Sequence, residues 1–340
     1  MYVLESKIVF SRSGKGSEEL SYTFNAVHDI EITKSVDELS DTAVIKLPAK
    51  FKIKQNGSEK FTEEALKVED KVTITLGYEG KSSNVEFVGY IKKISPKIPL
   101  EIHCEDAMWK LRRKNISKSW EKEVSLQEIL KEIVSSTDIE LNNHSELTSF
   151  KLDKWIIDGN GAQALEKLKQ NFGFASFITD DGKLHCGLEE LTNIGQAATY
   201  DLNLNLVEKN LEYKTIEDRK ILVKYTYINP KTNKRTVVEV GDKDGEQRTF
   251  TTSTVSEEAK LKELALKELN KLKYNGYNGD ITSFLIPYAT RGMKANLIDK
   301  DKEEGKEEGK DRNESYFINK VVTTFGLNGA RRKISIRNKL

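Results

Sequence analysis

Apolar and polar residues alternate through most of the first hundred positions. Ile30 and Ile32, then Ala43, Ile45 and Leu47, then Val72, Ile74, Leu76 and Tyr78, then Val85 and Phe87 recur at every second residue, the period that lines one face of a half-buried strand. Gly57, Gly77 and Gly80 punctuate these runs, so the segment predicts a small antiparallel barrel or sandwich. After a turn marked by Pro96 and Pro99, the alternation continues over Lys97 to Cys104, with Ile98, Leu100, Ile102 and Cys104 on one face. Glu105 and Asp106 then open a short helical turn that ends in Arg112, Arg113 and Lys114, acids first and bases last, as the helix dipole favours. Met108, Trp109 and Leu111 are its apolar residues, and Trp109 is expected to pack in a core.

Beyond residue 105 the period lengthens. Leu126, Ile129, Leu130, Ile133 and Val134 follow a capping box at Ser125 and Glu128, which predicts a helix with one buried face. A second helix follows Asp158-Gly-Asn, carries Leu165, Leu168 and Phe172 on one stripe, and stops at Gly173. Then FASFITDDGKLHCGL offers two strands joined through Asp181-Gly182, a hairpin signal. From about 195 the strand period returns with Ile221, Val223, Tyr225 and Tyr227, and Thr236 to Val240 reads as the partner strand. A third helix is predicted over 255–273, capped by Thr254 with Glu257 at the box position, burying Leu261, Leu264, Ala265, Leu269 and Leu272. GYNGDITSFLIPYATRGMKANLI reads as two strands around a turn, and Tyr316 to Phe325 with Arg332 to Arg337 as a closing pair.

The pattern predicts an α+β, mainly β chain: two β-barrel-like domains, 1–110 and 195–340, joined by a helix and β-hairpin segment over 111–194. Between the last elements lies DKDKEEGKEEGKDR, 299–312, without an apolar residue, expected to be a solvated or disordered hairpin tip that buries nothing, with a docking loop for a partner as the alternative.

Composition adds limits. With 37% hydrophobic and 32% charged residues, and 55 basic against 54 acidic side chains, no global charge steers the chain to DNA or membrane. No apolar run approaches a membrane span, and Glu5 interrupts the apolar start that a secretory signal needs. The expected location is therefore the cytoplasm, or beyond it by another route. Two cysteines, Cys104 and Cys186, make no disulfide framework.

No catalytic, cofactor-binding or metal-binding residue is assigned from the sequence. His103-Cys104 and His185-Cys186 invite a zinc reading, but neighbours on a strand point to opposite faces, so neither pair can chelate one ion. Each cysteine is expected in a core and each histidine outside. Glu105-Asp106 reads as a helix-terminal charge and Asp180-Asp181 as a turn. DGNGAQAL lacks the spacing and strand context of a phosphate loop and reads as a helix cap. Two basic clusters, 110–118 and 331–339, hold five cations each and read as solvated faces or intersubunit ion pairs.

A strand ending GYI, a second strand and then CEDAMWKLRR, followed in the same order by helix, glycine, aromatic strand, Asp-Gly and strand, and by the closing pair, resembles the baseplate hub proteins of contractile phage tails. These are the Mu-like hub and late-control D family, relatives of the N-terminal part of type VI secretion spike proteins. The resemblance covers most of residues 80–340, and implies a non-enzymatic homotrimer around a central channel in the virion tail baseplate, assembled in the bacterial host cytoplasm. Its implied partners are the tail tube protein, the spike protein and a tape-measure protein, with DNA only as transiting cargo, no membrane binding of its own and no cofactor. It also implies that the two strand-rich ends share a strand core. The alternatives are a tail-associated cell-wall hydrolase and the hub of a related contractile injection or type VI secretion apparatus.

Overall fold

The computed structural model describes residues 2–13, 19–48, 52–55, 58–135, 137–144, 146–152, 154–187, 196–229, 232, 234–252, 257–301 and 310–340. Its organising element is a sheet of thirteen strands among the described residues, to which both ends of the chain contribute. From Asp29–Ser35 the sheet runs one way through Thr42–Leu47, Leu100–Glu105, Ser82–Ser95, Lys71–Tyr78, Leu4–Ser13 and Glu19–Phe24. The other way it passes through Lys310–Gly326, Gly329–Lys339, Gly276–Ser283 and Leu206–Lys214. The mainly β, α+β class is as the pattern predicts, and no closed barrel forms among the described strands.

The 17-residue strand Lys310–Gly326 joins the two halves by changing partner along its length. Its first part pairs with Lys294–Asp301, which in turn lies parallel to Ala197–Asp201, and its last part pairs with Asp29–Ser35. A register shift between Ile318 and Lys320 marks the change, since an extra residue bends one strand relative to its partner. The two strands expected around a turn, Gly276–Ser283 and Lys294–Asp301, therefore belong to different neighbours and do not pair with each other.

Most of the apolar stripes read from the sequence fill a core. Ile8, Phe10, Ile30, Ile45, Ile74, Ile102 and Cys104 sit in the first. In the strand Leu100–Glu105 the residues Leu100, Ile102 and Cys104 are inward as expected, but Ile98 lies before it and is 93% exposed. A second core gathers Met108, Leu111, the helix Leu126–Val134 and the helix Gly161–Phe172. Both helices start as their sequences require: Ser125 accepts from the Glu128 amide at 3.3 Å while Glu128 reaches back to the Ser125 amide at 3.0 Å, and Asn160 and Gln163 repeat the exchange at 2.9 Å each way. Gly173 ends the second helix at φ 72°, a conformation that a Cβ disfavours. The stretch DGNGAQAL is thus a helix cap.

Trp109 corrects an expectation. It is only partly buried on the helix Met108–Arg112, with the Arg113 guanidinium 3.9 Å from its ring centroid, and Met108 and Leu111 are the residues that enter the core. The helix is too short to bury a third side chain on the same face. In the last third, helix Glu258–Leu272 packs Leu261, Ala265 and Leu269 on the small sheet Arg235–Gly241, Ile221–Ile228 and Glu246–Thr252. It begins three residues later than predicted, with Glu257 itself at the cap; Thr254 lies outside the described residues.

Candidate functional site

The polar centre of the molecule is a buried ionic junction that brings together three distant parts of the chain. Arg291, in the turn between Gly276–Ser283 and Lys294–Asp301, is 1% exposed. Its guanidinium lies 2.8 Å from the Asp41 carboxylate and 3.3 Å from that of Asp180, donates to the carbonyl of Ile178, and covers the Phe177 ring at 4.6 Å. Lys34 adds a 2.7 Å bridge to Asp180, and the Tyr288 hydroxyl donates to the same carboxylate at 2.8 Å. Asp106 accepts from the amides of Asp41 and Met108 at 2.8 and 2.9 Å. Asp180 is therefore more than a turn residue, because its charge meets the distant cations Lys34 and Arg291, and Asp106 is more than a helix-terminal charge, because it also accepts from the Asp41 amide 65 residues away; Asp181 stays within its turn, with Thr179 and Lys183.

Burial pushes the Asp41 carboxyl up to about 6, against the pull of Arg291 and Lys34. Burial, and then the neighbouring Asp41 charge, raises Asp106 well above the usual carboxylate range. For Asp180 burial acts upward too, but the charges of Lys34 and Arg291 overcome it and hold the group well below that range. Along the wall formed by these residues runs a cleft of about 320 Å³, lined also by Lys71, Tyr90, Lys110 and Asp138.

A second buried pair lies nearby. Arg332 reaches both oxygens of Glu86, at 2.7 and 3.1 Å, and donates to the Ala289 carbonyl at 2.9 Å and the Thr323 hydroxyl at 3.3 Å. Glu86 is inside because Ile74 pairs with Phe87 while Thr75 pairs with Val85. Glu86 is thus the extra residue of a bulge, and the bulge turns Glu86 and Phe87 inward and leaves Val85 51% exposed. Alternation alone puts Val85 and Phe87 on one face. Arg332, by contrast, was readable: it falls on the inward period with Ala330, Ile334 and Ile336.

The comparisons bear on this whole arrangement. No protein-family model matches the chain, and no curated protein matches it by sequence. Among solved structures it is similar to the 43 kDa tail protein of prophage MuSo2 from Shewanella oneidensis, with a TM-score of 0.64 at 15% identity over 98% of both chains. It has a phage tail protein fold. It is likewise similar to the tail protein from Neisseria meningitidis MC58, TM-score 0.59, 14% identity, over 100% of this chain and 97% of that one. An Escherichia coli component of the type VI secretion system, described as structurally similar to T4 bacteriophage tail proteins gp27 and gp5, matches at TM-score 0.53 and 11% identity over 92% and 73%.

In this tail protein fold the two His-Cys pairs are far from equivalent. Cys104 packs in the first core with His103 partly exposed beside Glu101, whereas Cys186 packs in the second core and His185 is buried as well. The expectation that each histidine lies outward fails at His185, because the hairpin Ala175–Ile178 and Leu184–Gly187 is covered on both faces. His185 lies between the rings of Phe177 and His144, with centroids 5.0 and 5.1 Å away, and Asn142 is 3.3 Å from its Nδ1. Burial, then His144 and Arg291, lowers it from an ordinary 6.5 to about 4.

The tail protein fold also uses its basic clusters internally. Lys110 meets Asp138 at 2.5 Å and Arg112 meets Glu105 at 2.5 Å, Arg113 meets Glu69, and Lys114 donates to the carbonyls of Glu132, at 2.9 Å, and Ser135 at the end of the helix Leu126–Val134. In the second cluster Lys333 meets Asp280 at 3.0 Å, Lys339 meets Glu314 at 2.6 Å, and Arg337 meets Asp37. The segment 299–312 is not solvated throughout. Asp299 is 6% exposed and accepts from the Tyr277 hydroxyl, and Arg312 lies 3.8 Å from the centre of the Tyr213 ring. Residues 302–309 lie outside the described residues.

Proposed function

We propose that this chain is the structural hub of a contractile tail baseplate, a non-enzymatic homotrimeric ring with a central channel that joins tail tube to spike, located in the virion tail. The observation that carries this reading is the shared fold with a prophage tail protein over 98% of both chains. In this reading the chain contributes three units, 1–110, 111–194 and 195–340, and the two strand-rich ends present the similar surfaces that a threefold part needs to meet a sixfold tube. The tail tube, spike and tape-measure proteins are its neighbours, and DNA crosses the channel without being held. Likeness to a type VI secretion component at a TM-score of 0.53 favours, as a second reading, the hub of a related secretion apparatus.

Light scattering of the purified protein tests the proposal. A mass three times that of the 38.7 kDa chain is expected, and monomer alone at high concentration overturns the ring. Cross-linking of the native assembly should join it to tube and spike proteins, and clearing of peptidoglycan in a zymogram would replace the hub with a hydrolase.

A further inference from the structure

The small sheet and the helix Glu258–Leu272 are an insertion. The chain leaves the main sheet at the end of Leu206–Lys214 and returns to it at the start of Gly276–Ser283, and these two strands pair with Lys214 opposite Gly276. The insertion therefore hangs from two points that an antiparallel pair holds about 5 Å apart, an attachment that leaves it an axis to turn about. It has a core of its own, built on Val223, Val240, Leu261 and Ala265. Its ion pairs Lys224 with Glu239 at 3.2 Å, Arg248 with Glu246 at 2.8 Å and Lys273 with Asp242 at 2.5 Å join residues of the insertion to one another. A unit held together from within moves as one body where its interface with its neighbour is slight.

Between the insertion and the rest of the chain lies a cleft of about 1480 Å³. The insertion touches the body at two margins, where strand Glu246–Thr252 nears helix Gly161–Phe172 and where helix Glu258–Leu272 nears strand Gly329–Lys339, and these margins set the limits of any swing. Half-buried rings line the cleft from both sides: Tyr225 and Phe250, stacked 5.8 Å apart, on the insertion, and Phe172 on the body. Apolar surfaces that face each other across open space are drawn together, so the gap has a reason to narrow. The stem is stapled across its two strands. Arg219 donates to the carbonyls of Tyr274 at 2.9 Å and Gly276 at 3.3 Å and lies 4.1 Å from the centre of the Tyr274 ring, while the Ile216 amide donates to Asn275 Oδ1 at 2.7 Å. We infer that the small sheet and its helix turn as one body on this stem, narrowing and widening the cleft, and that Arg219 is the latch that sets the resting angle.

Distances across the cleft of the intact protein test this. Cys104 and Cys186 are buried, so spin labels go to Gln170→Cys and Lys267→Cys, exposed positions on its two sides. Arg235→Cys with Lys260→Cys, both exposed on the insertion, is the reference pair. Double electron-electron resonance should give a broader distribution across the cleft than within the insertion. Arg219→Gln should shift the first to longer distance and leave the second in place. Amide exchange adds a readout without labels: in Arg219→Gln it should quicken at Ile216, in the stem, while Val223 and Val240 keep their protection. A distribution across the cleft as narrow as the reference in the unaltered protein overturns the hinge, whatever the variant does. An unmoved distance in Arg219→Gln overturns the latch, and lost protection at Val223 and Val240 overturns rotation as a body, because the insertion would then be unfolding.

Discussion

Arg332 and Glu86 are each 1% exposed, and their side chains satisfy one another deep in the sheet. Removing one member leaves an uncompensated charge, so Arg332→Met alone should destabilise by about 3–5 kcal/mol, while the double variant with Glu86→Leu recovers most of the loss. Urea melts of the two singles and the double measure this. His185 gives a pH prediction. Its folded value, about 4, lies below the ordinary 6.5, so the unfolded chain takes up a proton first, and the stability present above 6.5 is lost as pH falls toward 4. Asp41 acts in the opposite sense, since its raised value gives stability below its ordinary 3.8 that is lost as pH rises through about 6. His185→Gln should remove up to about 3 kcal/mol of the acid-side loss, read as a smaller difference between urea midpoints at about pH 7 and about pH 4. At Trp109, truncation to Ala should cost less than Leu111→Ala, for which about 2–5 kcal/mol is expected, because only Leu111 is fully buried. The reverse order in thermal melts would place the indole in the core.

Elements set by neighbours in sequence were the legible ones. Ser125 with Glu128 and Gly173 mark their helix ends through contacts or dihedrals three or fewer residues away, and a local rule is enough to find them. Glu86 was hidden because a single bulged residue changes which side chains face inward, and nothing in the alternation of Val85 and Phe87 signals it. Asp180 and Arg291 were hidden for another reason, since their partners are more than a hundred residues away. The segment 299–312 shows both limits: its charge suggested solvation, yet Asp299 pairs with Tyr277 inside the strand Lys294–Asp301. Tyr277→Phe leaves that carboxylate without its donor and should cost about 1–3 kcal/mol. An unchanged Tm would show that the hydroxyl contributes nothing.

On the scale of the whole molecule, Arg291 decides how firmly the helical middle is tied to the sheet. It spans Asp41, Ile178 and Asp180, so Arg291→Met should loosen the hairpin Ala175–Ile178 and Leu184–Gly187 without unwinding the sheet. Amide exchange is expected to quicken in the hairpin while the strand Thr42–Leu47 keeps its protection; uniform quickening would mean the junction supports everything at once. The pairing of Asp29–Ser35 with Lys310–Gly326 matches Thr33 to Val322, a separation of about 290 residues. On a ribosome adding about 5–20 residues per second, the early strand waits on the order of fifteen seconds to a minute for its partner. Through that interval one edge of the first half is unpaired, with Ile30 and Ile32 in it, which is the condition under which nascent chains pair with the wrong strand. Truncated chains ending before Lys310 should therefore aggregate or recruit chaperones, and slow final closure should dominate refolding of the full chain.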